Sequence, residues 1–132
     1  MNDDETLIRK VLDSMAGAVR EKDVEAMLAL CAPDLVVFDL VPPLKHEGTE
    51  AVRRFWTTGL STSEAPLDYE TSDVKIETGG DVAFVRSIVR FAGSTIRSTL
   101  GLRKLGGRWT IVHQHVSAPF DMASGKALLD LR

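Results

Sequence analysis

The chain opens with apolar residues at helical spacing. Leu7, Ile8, Val11, Leu12, Met15 and Val19 recur every three or four positions, with Arg9, Lys10, Asp13 and Arg20 between them. That period predicts an amphipathic helix with one buried face, and Asp3 or Asp4 can cap its start. Asp23 is a candidate cap for a second, short helix carrying Val24, Met27, Leu28 and Cys31, with Pro33 ending it. "LVVFD" at 35–39 reads as a strand and "LVPPLKHEG" as a loop. Thr49 or Glu50 opens a third helix, with Val52, Phe55 and Trp56 on one side and Gly59 near its end. "LSTSEAP" reads as another loop. The period then changes from helical to extended. "LDYETSDVKIET", "DVAFVRSIVRF", "TIRSTLGLRK" and "RWTIVHQHVS" are rich in β-branched and aromatic residues. They are joined through "GGD", "AGS" and "LGG", where glycine supplies the positive φ of tight hairpins. Four consecutive antiparallel strands are expected. The tail "MASGKALLDLR" reads as a short helix or a frayed end.

Helices first and a meander second imply α+β segregation. The expected architecture is three N-terminal helices on a strongly curved, mainly antiparallel sheet, with a conical pocket at the mouth of the bend, where small molecules bind. The 132 residues favour one domain over 1–132 with one core. The formal net charge of −3 comes without any basic block, so neither nucleic acid nor an anionic membrane is an expected partner. No apolar run approaches the roughly 20 residues of a membrane span, and the acidic "MNDDET" is no signal peptide. Cys31 is the only cysteine. It excludes an internal disulfide, fits a reducing, cytoplasmic compartment, and reads as a small buried hydrophobe.

Asp39 is the residue that the pattern leaves unexplained. Leu35 to Phe38 could all be core, and a carboxylate follows directly. An acid in such a place is solvated, paired or used, because burying it alone costs several kcal/mol, at least roughly.

The order helix, helix, strand-Asp, helix, four strands resembles the nuclear transport factor 2-like fold, and within it the SnoaL-like and ketosteroid-isomerase-like group. The resemblance runs from about Asp4 to Phe120 and rests on "VFD" followed by "EGTEAVRRFW", on "DVAFVRS", and on "GGRWTIVHQHVSAP". The last stretch is also similar to the association (hub) domain of calcium/calmodulin-dependent protein kinases, in the spacing of Trp109, His113, His115 and Ser117. The fold hosts isomerases, cyclases, hydrolases, dehydratases, oligomerisation hubs and binders, so it does not name the activity.

The resemblance implies a general base at Asp39, the position that serves as base in ketosteroid isomerases. The oxyanion-hole tyrosine of those enzymes would fall at Met15 and their carboxylic acid at Thr99 or Leu100. Met and Leu donate no hydrogen bond, which argues against steroid isomerisation. The hub likeness implies that Arg86 lines the pocket and binds a small carboxylate; two further hub arginines would fall at Leu100 and Val116 and are absent. With Arg86 inward, strand alternation puts Phe84 and Ile88 inward too, and on the last strand Val112, Gln114 and Val116. Trp109, Ile111, His113 and His115 then lie on the outer face, with Val85, where a second subunit would cover them.

The remaining candidates are weaker. Trp56 resembles a pocket aromatic and is equally a core residue. His46 sits on the loop expected over the pocket mouth, where it could touch substrate. "HQH" would place two histidines on one strand face, but no third metal ligand is visible. No G-x-S-x-G nucleophile and no Gly-rich phosphate loop occur, so no cofactor and no metal are expected. The expected function is a small-molecule pocket protein, a cofactor-free isomerase, cyclase or lyase. Asp39 would be its base, Arg86 and Gln114 would bind the oxygen that gains charge, and Trp56 and Phe84 would form the apolar wall. A homodimer through the sheet face is expected, and the alternative functions are a non-catalytic small-carboxylate-binding module or a hub-like oligomerisation module.

Overall fold

Local sequence sets most element boundaries in the computed structural model, which describes residues 3–61 and 66–132. Met1, Asn2 and most of the expected "LSTSEAP" loop lie outside the described residues. Helix α1 (Asp3–Arg20) carries Asp3, Asp4 and Glu5 in its first turn and Arg20 in its last, charges that complement the helix dipole. It buries Ile8, Met15, Ala18 and Val19. Asp23 caps α2 (Val24–Leu28) by accepting the Ala26 N–H at 3.1 Å.

The second helix is shorter than its apolar spacing predicts. Cys31 is not on it but opens strand β1 (Cys31–Phe38), so Pro33 lies inside a strand. The backbone at this point is claimed by long-range pairing: the Ile111 N–H donates to the Leu30 carbonyl at 2.9 Å. A two-residue strand, β2 (His46–Glu47), interrupts the expected "LVPPLKHEG" loop and pairs antiparallel with Val36 and Val37. Gly48, at φ 87°, then turns the chain into α3 (Thr49–Leu60). That conformation suits glycine and strains any other residue.

The meander is as expected: β3 (Tyr69–Gly79), β4 (Val82–Phe91), β5 (Ser94–Leu105) and β6 (Arg108–Ser117) pair antiparallel in succession. The six-stranded sheet runs β2-β1-β6-β5-β4-β3, and β1 joins β6 in parallel. The tail is neither helical nor frayed. Phe120 bridges Ala127, and the Thr95 N–H donates to the Leu129 carbonyl at 2.7 Å.

Two irregularities decide which side chains face the helices. On β3 the register with β4 shifts between Ser72 and Lys75, and Asp73 takes φ 56°. On β6 the partners step from Leu102↔Ile111 to Gly101↔His113, which leaves Val112 as an extra residue. A bulge of this kind bends the strand and resets its alternation. Trp109 and Ile111 are therefore buried on the helix side, at 5% and 1% exposure, and beyond the bulge Gln114 and Val116 share that same side. The expectation of Trp109, Ile111 and Val85 on an outer face is corrected: all three belong to the core. His113 and His115 do lie on the opposite side, where both rings meet Phe38 edge-on.

The core fills the space between sheet and helices. α1 packs on β3 and β6, and α3 on β1 and β2. Trp109 Nε1 donates to Asp4 Oδ1 at 3.1 Å, and Lys104 Nζ lies 2.9 Å from the same oxygen. This cluster ties the first turn of α1 to the β5–β6 hairpin. The hydrogen bonds from Lys104 and Trp109 hold the Asp4 carboxyl below its ordinary pKa. No helix among the described residues is long and apolar enough to cross a membrane.

The corrected placement of Ile111 has a measurable consequence. Ile111→Ala should cost about 2–5 kcal/mol, the range for emptying a filled core position, read as a lower midpoint in denaturant unfolding. A loss well below about 1 kcal/mol would mean that the side chain is not enclosed as described.

Candidate active site

The site grows from the end of β1. Leu35 and Val37 point to the helices, at 1% and 0% exposure, and side-chain alternation carries Asp39 onto the same side. There it joins the wall of a cavity of about 280 Å³. Met15 and Val19 from α1, Phe55, Trp56 and Leu60 from α3, and Leu40 and Val41 from the following loop supply apolar wall. A narrower recess of about 40 Å³ continues beneath it between Leu12, Leu35, Val85 and Leu100. Met15, Trp56, Tyr69, Ser98 and Gln114 border both spaces.

The sheet supplies the polar floor. Gln114 on β6 is the register partner of Val37. It is also the partner of Leu100 on β5, while Ser98 faces Ser87 on β4. Strands lie about 4.8 Å apart; Asp39, just past β1, is nearest β6, and the hydroxyls on β5 and β4 stand one and two strands further along the same side of the sheet. Tyr69, at the start of β3, closes the far side, its ring edge-on to Phe91 at 6.1 Å.

Two cavity groups are titratable, and burial shifts both. Loss of water raises the Asp39 carboxyl above its ordinary value; the Leu40 and Val41 backbone N–H groups and the nearby His46 pull the other way. The Leu40 N–H donates to Asp39 Oδ1 at 2.7 Å. Asp39 is thus a carboxylate held by backbone amides but short of solvent, which makes it a stronger base than an exposed one. Burial likewise raises the Tyr69 phenol, opposed by Arg20. It therefore stays a hydrogen-bond donor at neutral pH.

Several sequence candidates lie together here. Asp39, Met15, Trp56, Leu100, Gln114 and Val116 all border the cavity or its recess. Arg86 and Phe84 do not. On β4 the cavity side is formed by Val85, Ser87 and Val89, and Arg86 points away, exposed, between its register partners Lys75 and Thr99. The inward placement of Arg86 and Phe84 is therefore corrected. Alternation along β4 sets both charged positions, Arg86 and Arg90, on the solvent side. Val112, expected inward, is the extra residue of the bulge.

His46 is not at an open mouth. It is buried on β2, its ring stacked on Phe55 at 3.8 Å, and Phe55 forms the wall in its place. Its Nε2 has no hydrogen-bond partner among the described residues. Tyr69, Ser98 and Ser87 were missed in the sequence. Only the strand register shows that these ordinary β-sheet residues share a side with Asp39.

Groups of three or more metal-binding side chains do not occur among the described residues. Burial pushes the Cys31 thiol up to about 12, and its Sγ lies 3.4 Å from the Met27 carbonyl. A thiol this hard to ionise is a poor nucleophile. Ellman's reagent should therefore label Cys31 only after denaturation; rapid labelling of the native protein would contradict this environment.

A model of the SnoaL-like domain matches residues 8–121. The chain is similar to an NTF2-like protein of unknown function from Pseudomonas putida KT2440, with 32% identity, a TM-score of 0.92, and coverage of 98% of this chain and 96% of that one. A protein of unknown function with a cystatin-like fold from Nostoc punctiforme PCC 73102 gives a TM-score of 0.77 at 19% identity, covering 88% and 91%. A ketosteroid isomerase-like protein from Erwinia carotovora atroseptica SCRI1043 gives 0.75 at 21%, covering 89% and 97%. The last two likenesses concern the fold alone. The comparison with curated proteins gives no match. On the match over 8–121 and the near-complete likeness to the Pseudomonas protein, the chain belongs to the SnoaL-like domain family of the nuclear transport factor 2-like superfamily.

Proposed function

We propose that this protein is a small-molecule enzyme that moves a proton next to a carbonyl group without a cofactor, with Asp39 as its base. The observation that carries this reading is a water-poor carboxylate on the wall of a cavity whose floor is otherwise neutral. Asp39 would remove the proton from carbon. The negative charge would then collect on the carbonyl oxygen, where Gln114, Ser98 and the Tyr69 phenol can donate hydrogen bonds. Trp56 and Met15 would press the apolar part of the substrate against the sheet, at the mouth of a conical pocket formed by its bend. Gln114 keeps the oxygen-binding part expected of it and Arg86 together, with Ser98 and Tyr69 in place of the arginine. A carboxylate binder of the hub kind is the weaker reading, because Arg86 was its anion clamp and lies on the other side of β4.

The other side of the sheet supports a homodimer. Phe38, Val82 and Phe84 are 37%, 57% and 48% exposed there, beside His113 and His115, and such a surface gains from cover. Phe84→Asp should convert a dimer to a monomer in sedimentation while the far-ultraviolet circular dichroism keeps its folded form, since it puts a charge into the apolar part of that face. A wild-type protein that is monomeric at micromolar concentration would end this part of the reading.

The chemistry is tested by hydrogen–deuterium exchange at the carbon next to the carbonyl in a panel of small cyclic ketones, followed by NMR. Asp39→Asn should slow enzyme-dependent exchange by about 10²–10⁴-fold, the usual contribution of a positioned base. The wild-type rate should rise with pH as the carboxyl ionises, and the variant should lack that limb.

The same substitution affects folding in a predictable direction. The folded-state pKa of Asp39 lies above its unfolded value, so the folded state binds this proton more tightly, and stability falls as pH rises through that window. Asp39→Asn should therefore raise the melting temperature at neutral pH, and the gain should vanish below the ordinary aspartate range. Unchanged exchange together with a lower melting temperature would return Asp39 to a structural part.

A further inference from the structure

We infer that the cavity takes an uncharged carbonyl compound of one or two rings, with its oxygen toward Tyr69, Ser98 and Gln114, and that it rejects carboxylates. This rests on the proton-transfer reading only for the part played by Asp39; the binding preference stands on the composition and size of the cavity. Among the described residues no Arg, Lys or His borders the cavity or its recess. Residues 1–2 and 62–65 add no basic side chain either.

The cations close by do not border the cavity. Arg20 donates through Nε to the Tyr69 carbonyl at 3.0 Å and is exposed. His46 is stacked behind Phe55. Arg86, Arg90, Arg97 and Arg103 are exposed residues on the alternate positions of β4 and β5. An anionic ligand would thus share a water-poor space with the Asp39 carboxylate and find no counter-charge, which is costly.

Charge balance during the reaction points the same way. With a neutral ketone, Asp39 takes a proton from carbon and becomes a neutral acid, and the electron pair of that C–H bond moves to form an enolate. The cavity holds one negative charge before and after the step. The charge crosses from β1 toward the donors on β3, β5 and β6, and no cation is needed at any stage. A carboxylate substrate would raise the total to two negative charges, for which the walls make no provision.

Size sets the remaining limit. A dry cavity of about 150 Å³ holds one benzene ring, and here the space is about 280 Å³. That suits a bicyclic compound or a substituted single ring. Four fused rings exceed this space and would leave much of their apolar surface in water at the opening.

The test uses three probes on the wild-type protein at neutral pH, with binding read by calorimetry and by quenching of tryptophan fluorescence, since Trp56 borders the cavity. β-Tetralone, an uncharged bicyclic ketone, should bind saturably. β-Naphthoate, of similar size with a carboxylate, should bind at least about tenfold more weakly, a modest charge penalty. Androstenedione, with four rings, should show no saturable binding. Asp39→Asn should bring β-naphthoate up by about tenfold and leave β-tetralone nearly unchanged, because it removes only the like charge.

The inference is overturned if β-naphthoate matches β-tetralone on the wild type, if androstenedione saturates, or if β-tetralone does not bind. Because the wild-type comparison decides these points, a variant that misfolds does not spoil the test. Saturable β-tetralone binding without any deuterium exchange would support the ligand class while removing the proposed proton transfer.

Discussion

A partly buried carboxylate at the end of a buried strand is the constraint around which this fold's open side is arranged. Asp39 follows Leu35 and Val37 on the same side of β1, and both are fully enclosed. The acid therefore inherits an apolar setting that would suit a leucine. Its compensation is local and partial: two backbone N–H groups and the field of His46 oppose the desolvation, which remains the largest influence. The fold tolerates the group because the surrounding core is well packed. Ile8, Val52, Val85 and Ile111 are each at most 2% exposed. A carboxylate kept this way is unfavourable for folding and favourable for taking a proton, the usual exchange between stability and chemistry at a working site.

Register then determines what Asp39 faces. Were Val112 an ordinary paired residue, strict alternation would set Trp109 and Ile111 against Gln114 and Val116 across the sheet. The bulge brings all four to the helix side. Its first half completes the core through Trp109, which donates to Asp4 of α1, and its second half furnishes the cavity with an amide and a methyl-bearing side chain. One inserted residue thus joins a stability element to a candidate binding element on a single strand. Gly101 lies across from the bulge, where an added Cβ would come within 3.5 Å of the His113 Cβ, an ordinary contact. Its space therefore does not by itself demand glycine.

Much of the architecture was legible in the sequence because it depends on period and on turn chemistry. The first and third helices and all four strands of the meander follow from apolar spacing and from "GGD", "AGS" and "LGG". The direction of Asp39 also follows, since only β1 alternation is needed. What failed depended on pairing across the chain. Cys31 continues an apolar helical spacing, yet the backbone there is drawn into the sheet beside β6. Val112 looks like any strand residue until its neighbours are known. Arg86 is a different case, because the pattern of β4 was readable: Ala83, Val85, Ser87, Val89 and Phe91 form an uncharged series, while Arg86 and Arg90 share the other. Family likeness to a hub pocket outweighed that alternation, and the alternation was the better guide. Tyr69, Ser87 and Ser98 carry no signal of their own, since serine and tyrosine are common in strands for reasons unrelated to a site.

The two sides of the sheet divide the charges in a way that bears on what the cavity can do. Arginines 86, 90, 97 and 103 and Lys75 are exposed, in water where their solvation is cheap. The cavity side has hydroxyls, one amide, one phenol and one acid. A neutral donor stabilises a developing oxyanion without holding a ground-state anion strongly, whereas an arginine would do both. Under the proposed reading, the neutral donors Gln114, Ser98 and Tyr69 would favour an anion that forms in the site over one that arrives with the ligand. They would also keep Asp39 basic, because a guanidinium beside it would lower its pKa and weaken it as a base. With Arg86 on the other side of β4, the raised pKa of the Asp39 carboxyl is set, among the described residues, by its burial, its backbone amides and His46, and by no guanidinium.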